Sequence, residues 1–165
     1  MCLIDRHYGG SPVDMKYVFE LAEKYGLFVI EDAAHALEST SSAGKVGNTN
    51  HGAAFSFYAN KNLTTFGEGG ALATNDYNLA ESVKNLSLHG ITKDGWKRFD
   101  SGGKWEYDII QLGYKYNMPD ISASFGIWQL NQINDWQEIR KNIVERYLTG
   151  LENNEGILLP DYTKN

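Results

Sequence analysis

The spacing of apolar residues changes along the chain, and each change marks an element. Met1-Cys2-Leu3-Ile4-Asp5 has the texture of a strand already under way. Ser11-Pro12-Val13-Asp14 then reads as a helix start, with Ser11 able to cap, Pro12 suited to the first helical position and Asp14 placed against the dipole. Val18, Leu21, Ala22 and Tyr25 follow at helical spacing, and Gly26 ends the run. Leu27-Phe28-Val29-Ile30 is uninterrupted and apolar, as in a strand buried on both faces. Strand, helix and strand in this order predict an α/β fold with a parallel or mixed sheet and crossover helices.

Residues 39–50 are polar and contain glycine, so they are expected as a loop. Ala53 to Phe57 and Ala71 to Thr74 read as two further short strands. Asn75 or Asp76 can cap a helix reaching about Leu86. Residues 91–111 have no clear period and are expected as a long loop. After Pro119-Asp120 the pattern becomes helical again, with Ile121, Phe125 and Trp128 on one side and Ala123, Ile127 and Leu130 on another. Apolar residues on both sides predict a helix buried nearly all round. A separate, more polar helix is expected from about Asp135 to Leu148. No internal repeat or low-complexity tract is visible.

At 165 residues the chain is long enough for one domain with a real core. Its 42% hydrophobic and 22% charged residues are ordinary for a globular protein. The net charge of −6, with no basic cluster to offset it, argues against a nucleic-acid partner. A single cysteine, Cys2, excludes an internal disulfide and makes the cytoplasm the expected compartment. No apolar run approaches the roughly 18 residues that would span a membrane, so no membrane association is expected. The four histidines lack metal-ligand spacing, and no metal site is expected.

The chemistry concentrates in two segments. Val29-Ile30-Glu31-Asp32-Ala33-Ala34-His35 is an apolar strand that delivers a carboxylate at its end. Phe55-Ser56-Phe57-Tyr58-Ala59-Asn60-Lys61 is a second strand that delivers a hydroxyl and, five residues later, an amine. In open sheets ligands bind beyond the carboxyl ends of the strands. A carboxylate, a hydroxyl and an amine placed there can hold pyridoxal phosphate: Asp32 on the pyridinium nitrogen, Ser56 on the phosphate, Lys61 as the Schiff-base amine. Each residue alone has a plainer reading, Asp32 as a turn cap, Ser56 as a small packed residue and Lys61 as one of fifteen basic side chains. Strand alternation turns Phe55 and Phe57 one way and Ser56 the other. Gly67-Glu68-Gly69-Gly70 lacks the spacing of a dinucleotide loop.

At these residues the chain resembles the DegT/DnrJ/EryC1/StrS aminotransferases, pyridoxal-phosphate enzymes of fold type I that aminate nucleotide-linked keto-sugars. His7-Tyr8-Gly9-Gly10, Leu88-His89-Gly90 and Gly113-Tyr114-Lys115-Tyr116-Asn117 agree with the family in order and spacing. The resemblance implies a partial fold-type-I large domain, a mixed, mostly parallel sheet with flanking helices. It implies residues 1–150 as the central part of that domain and 151–165 as the start of a C-terminal small domain, with the N-terminal part of the large domain absent. By the same resemblance His35 lies near the cofactor ring, by stacking or hydrogen bonding. Lys115 takes the place of an asparagine that reaches the phosphate across a homodimer. Glutamate is the implied amino donor. Lys61, where the dehydrating branch has histidine, argues against that branch. The stretch from Trp96 to Tyr107 resembles members acting on UDP-linked 4-keto pentoses or 6-deoxyhexoses. The rival expectations are a non-catalytic remnant or interaction piece, and another fold-type-I reaction such as retro-aldol cleavage.

Overall fold

A computed structural model of the chain describes residues 1–91 and 108–160. The expected loop over 91–111, with its Trp96 to Tyr107 stretch, lies almost wholly outside the described residues. Strand β1 is Cys2–Arg6, and a short 3-10 turn, Tyr8–Gly10, leads from it to helix α1, Met15–Tyr25. Strand β2 is Phe28–Asp32; β3, Thr40–Ser41, and β4, Gly44–Lys45, form a small hairpin inside the expected loop. Strands β5, Gly52–Ser56, and β6, Gly70–Ala73, precede helices α2, Tyr77–Ser87, and α3, Asp120–Leu151.

The main sheet has the order β1-β2-β5-β6, with the first three strands parallel and β6 antiparallel to β5. This is the mixed, mostly parallel sheet that the family resemblance implies, and it falls within the parallel or mixed sheet that the strand–helix–strand pattern predicts. Its register opposes Arg6 to Asp32 and Asp32 to Ala54. Because side chains alternate, one face carries Leu3, Val29, Glu31, Ala33, Ala53 and Phe55, and the other carries Ile4, Arg6, Asp32, Ala54 and Ser56.

The first face holds the core. Met15, Val18 and Ala22 of α1 pack on Val29, flanked by Leu3, Val13, Phe19 and Leu27. Ala33, Ala36, Val46 and Ala53 form a second cluster against Phe55. On the other face α2 approaches closely at Gly52, where a Cβ would meet Ile30 and Leu72 at 3.4 Å and Leu79 at 3.8 Å. Beyond that contact the face is more open, and Ile4 is 74% exposed.

Three expectations need correction. The cap of α1 is Asp14, whose carboxylate accepts from the Tyr17 N–H, while Ser11 is extended and lies outside the helix. Gly26 ends α1 as expected, in the left-handed conformation at φ 59°. The two helices expected after Pro119 are one helix of 32 residues, about 48 Å long at 1.5 Å per residue. Asn134-Asp135 is polar but contains neither glycine nor proline, so nothing interrupts the hydrogen-bond ladder. Nor is α3 buried nearly all round: its buried residues are Gly126, Gln129 and Ile133, one narrow stripe, while Ile121, Ile127 and Trp128 are exposed.

Candidate active site

The carboxyl ends of β1, β2 and β5 converge at one edge of the sheet, and a cleft of about 250 Å³ opens there. Gly9, Ala34, His35, Leu37, Ser56 and the Asn60–Leu63 turn line it. The cleft therefore brings together three of the five residues expected from the sequence: His35, Ser56 and Lys61.

Local structure places each of them. Ser56 ends β5 on the face opposite Phe55, as alternation requires, and its Oγ accepts the Tyr58 N–H at 3.3 Å, turning the chain. The Lys61 N–H donates to the Tyr58 carbonyl at 3.0 Å, closing the turn that aims Lys61 back at the strand ends. Lys61 and Ser56 are both half-buried. His35 follows the end of β2, and its Nδ1 accepts the Gly9 N–H at 3.3 Å. Its ring meets Tyr8 edge-on at 6.1 Å. With Nδ1 engaged as an acceptor, Nε2 carries the proton of the neutral ring.

Asp32 stands at the end of β2 beside the cleft rather than in its lining. Its Oδ1 accepts the Ala34 N–H at 3.2 Å, and its Oδ2 lies 3.5 Å from the Arg6 Nε. Arg6 also covers the Tyr8 ring, 5.4 Å from its centroid. Sequence reading passes over Arg6, because its meeting with Asp32 follows from the register of two parallel strands joined through α1. Lys115 is the outlier. It is exposed, it donates to Asn117 Oδ1, and it stays outside this cleft.

Behind the sheet edge lies a second pair that the sequence does not announce. His7 Nε2 donates to Glu31 Oε2 at 3.0 Å, and both side chains are buried. His7 Nδ1 accepts the Val13 N–H at 3.2 Å, which fixes this tautomer. The His7–Glu31 and Arg6–Asp32 pairs bind the ends of β1 and β2 together on opposite faces of the sheet.

The donor set suits pyridoxal phosphate. A carboxylate at a strand end, a hydroxyl at the neighbouring strand end and an amine across the same cleft are the groups a pyridinium, a phosphate and an aldehyde require. Among the described residues, no three or more His, Cys, Asp or Glu gather as they would around a metal ion, and no helix is long and apolar enough to cross a membrane.

The chain is similar to known proteins in sequence and in fold. Uncharacterized protein MJ1066 of Methanocaldococcus jannaschii is 46% identical over 98% of this chain and 42% of its own length. The spore coat polysaccharide biosynthesis protein SpsC of Bacillus subtilis is 44% identical over 93% of this chain and 39% of its own. The chain thus spans about two fifths of the curated relatives it matches. Spr1654 from Streptococcus pneumoniae, described as a sugar aminotransferase, superposes in its PMP form with a TM-score of 0.79. That match has 34% identity and covers 92% of this chain and 43% of the other; a PLP form of the same protein matches too. The model of the DegT/DnrJ/EryC1/StrS aminotransferase family matches residues 2–165, and the chain belongs to that family.

Proposed function

We propose that the chain carries the cofactor-binding centre of a pyridoxal-phosphate-dependent sugar aminotransferase, acting on a nucleotide-linked keto-sugar with glutamate as amino donor. The observation that carries the reading is the shared cleft of Ser56, His35 and Lys61 at the strand ends, with Asp32 alongside. Pyridoxal phosphate, when bound, supplies an aldehyde carbon and an electron-accepting ring. Lys61 would supply the amine that holds that carbon, and its Nζ, when free, would carry a proton within the cleft. Asp32 holds the proton on the pyridine nitrogen, and the Ala34 N–H keeps its carboxylate oriented. Ser56 donates its hydroxyl to the phosphate. His35, locked by the Gly9 N–H, packs by the ring as a fixed wall rather than as an acid or base.

Relatives support the substrate class. SpsC is a polysaccharide biosynthesis protein, and Spr1654 is described as a sugar aminotransferase. Residues 1–150 form the central part of the large domain in this reading, and 151–165 begin a smaller one. Lys115 lies outside the cleft of its own chain, which fits a role at the phosphate of a partner subunit in a homodimer. The cytoplasm is the proposed compartment, in keeping with the single free Cys2.

The test is covalent. Incubation of the protein with pyridoxal phosphate, borohydride reduction and peptide mass mapping should place the pyridoxyl group on Lys61, and Lys61→Ala should abolish the label. A label on another lysine would refute the assignment.

A further inference from the structure

The turn that carries Lys61 is fastened to helix α3. Gln129 is buried, and its side-chain amide pairs with the backbone of Thr64 in both directions. The Thr64 N–H donates to Gln129 Oε1 at 3.2 Å, and Gln129 Nε2 donates to the Thr64 carbonyl. Three contacts flank this pair. Arg140 Nη2 donates to the Asn62 carbonyl at 3.3 Å, while its Nη1 is held by Gln137. Phe66 stacks on Phe125 at 4.1 Å. Gly126 lets the helix close on the turn: a Cβ there would lie 3.0 Å from the Thr65 side chain and 3.8 Å from that of Leu63. Leu63 and Thr65 are both only 2% exposed, so the turn has few other ways to settle.

We infer that Gln129 is a positioning residue for Lys61, setting through Thr64 where the Lys61 amine stands in the cleft. The inference rests on Lys61 as the cofactor lysine. Thr64 follows Lys61 by three residues, and the Lys61 and Thr65 N–H groups are themselves bound to the Tyr58 and Phe57 carbonyls. The turn is thus closed on Phe57 and Tyr58, just past β5, and fastened to α3 through Thr64. Loss of the Thr64 fastening leaves those two backbone bonds in place but lets the segment after Lys61 relax, which loosens the position of the Lys61 amine. A buried amide that answers both backbone groups of one residue is specific in direction, so an apolar side chain of similar length should not replace it.

The experiment compares the protein with Gln129→Met and Gln129→Glu variants. Met fills the space without polar atoms, and Glu retains the acceptor but loses the donor. Hydrogen exchange without cofactor should show the Thr64 amide protected in the wild type and opened in Gln129→Met. The rate of borohydride-trapped labelling of Lys61 should fall about tenfold or more in Gln129→Met, since small misplacements of a reacting group are costly. Gln129→Glu should fall between the two. Binding of pyridoxamine phosphate, which makes no bond to Lys61, should change by less than about twofold, because it does not draw on the position of that amine. Loss of pyridoxamine phosphate binding in parallel with labelling would make Gln129 a merely structural residue and overturn the inference. Equal labelling rates in all three proteins would overturn it too. A wild-type label away from Lys61 would instead overturn the assignment of Lys61, and this inference with it.

Discussion

Asp32 is held between two donors of different strength. The Ala34 N–H fixes Oδ1 from inside the turn, and Arg6 approaches Oδ2 from the neighbouring strand. Both side chains of the ion pair are substantially exposed, so Arg6 is worth little to stability and acts chiefly on orientation. Asp32→Asn keeps the shape and one acceptor but cannot hold a pyridinium proton. Cofactor binding should remain measurable, while turnover in the complete enzyme falls on the order of 10³-fold, the scale at which removal of one stabilising group acts. Near-normal turnover in stopped-flow or steady-state assays would refute the role of Asp32. The pair behind it answers to stability instead. Glu31→Leu leaves the buried His7 Nε2–H without its acceptor and should cost about 1–3 kcal/mol in denaturant unfolding, whereas Glu31→Gln retains an acceptor and should cost less. That Asp32, Ser56, His35 and Lys61 lie at or just beyond strand ends on one side of the sheet is legible in the sequence, because each follows closely on its own strand. The pairings of Arg6, His7 and Glu31 are not, because they are set by strand register across a crossover.

Among the elements, α1 shows how a local signal can be read one turn too early. Ser11-Pro12 has the composition of a helix start, yet Asp14 does the capping, and the Ser42 hydroxyl donates to the same carboxylate at 2.6 Å. The Ser42 hydroxyl first, and then the Tyr17 N–H, hold the Asp14 carboxyl below its ordinary value of 3.8. A depressed folded-state value means that the cap is fully stabilising above that ordinary value and is lost as pH falls through the folded one. Asp14→Ala should therefore lower the thermal midpoint at neutral pH, with the gap to wild type closing below about pH 3.8. A gap that persists unchanged under acid would show that the carboxylate charge is irrelevant. Helix α3 is a case of a different kind. Its apolar spacing predicts helix correctly and burial wrongly, since periodicity reports that a surface is apolar and not what covers it. Its buried residues are the stripe of Gly126, Gln129 and Ile133, and Gly126 and Gln129 meet the turn of Lys61, flanked by Phe125 and Arg140.

For the molecule as a whole, the uncovered surface is the decisive quantity. The sheet is well packed by α1 on one face, while Ile4 on the other and Ile121, Ile127, Trp128, Ile139 and Tyr147 along α3 are exposed. Monomeric soluble proteins rarely leave apolar residues of this size in contiguous patches. The chain spans about two fifths of its curated relatives, at 42% and 39% of their lengths. Expressed by themselves, the 165 residues should therefore self-associate, which light scattering or sedimentation would register as species larger than 18.5 kDa. They should also hold pyridoxal phosphate weakly. Within the chain, Ser56 lines the cleft, while Lys115 stands outside it and Asp32 stands beside it. Replacing Ile121 and Trp128 with serine should reduce the association without changing the Lys61 label, because neither side chain lines the cleft. A monodisperse monomer that binds the cofactor stoichiometrically and turns over with glutamate would show that these residues suffice for the whole site.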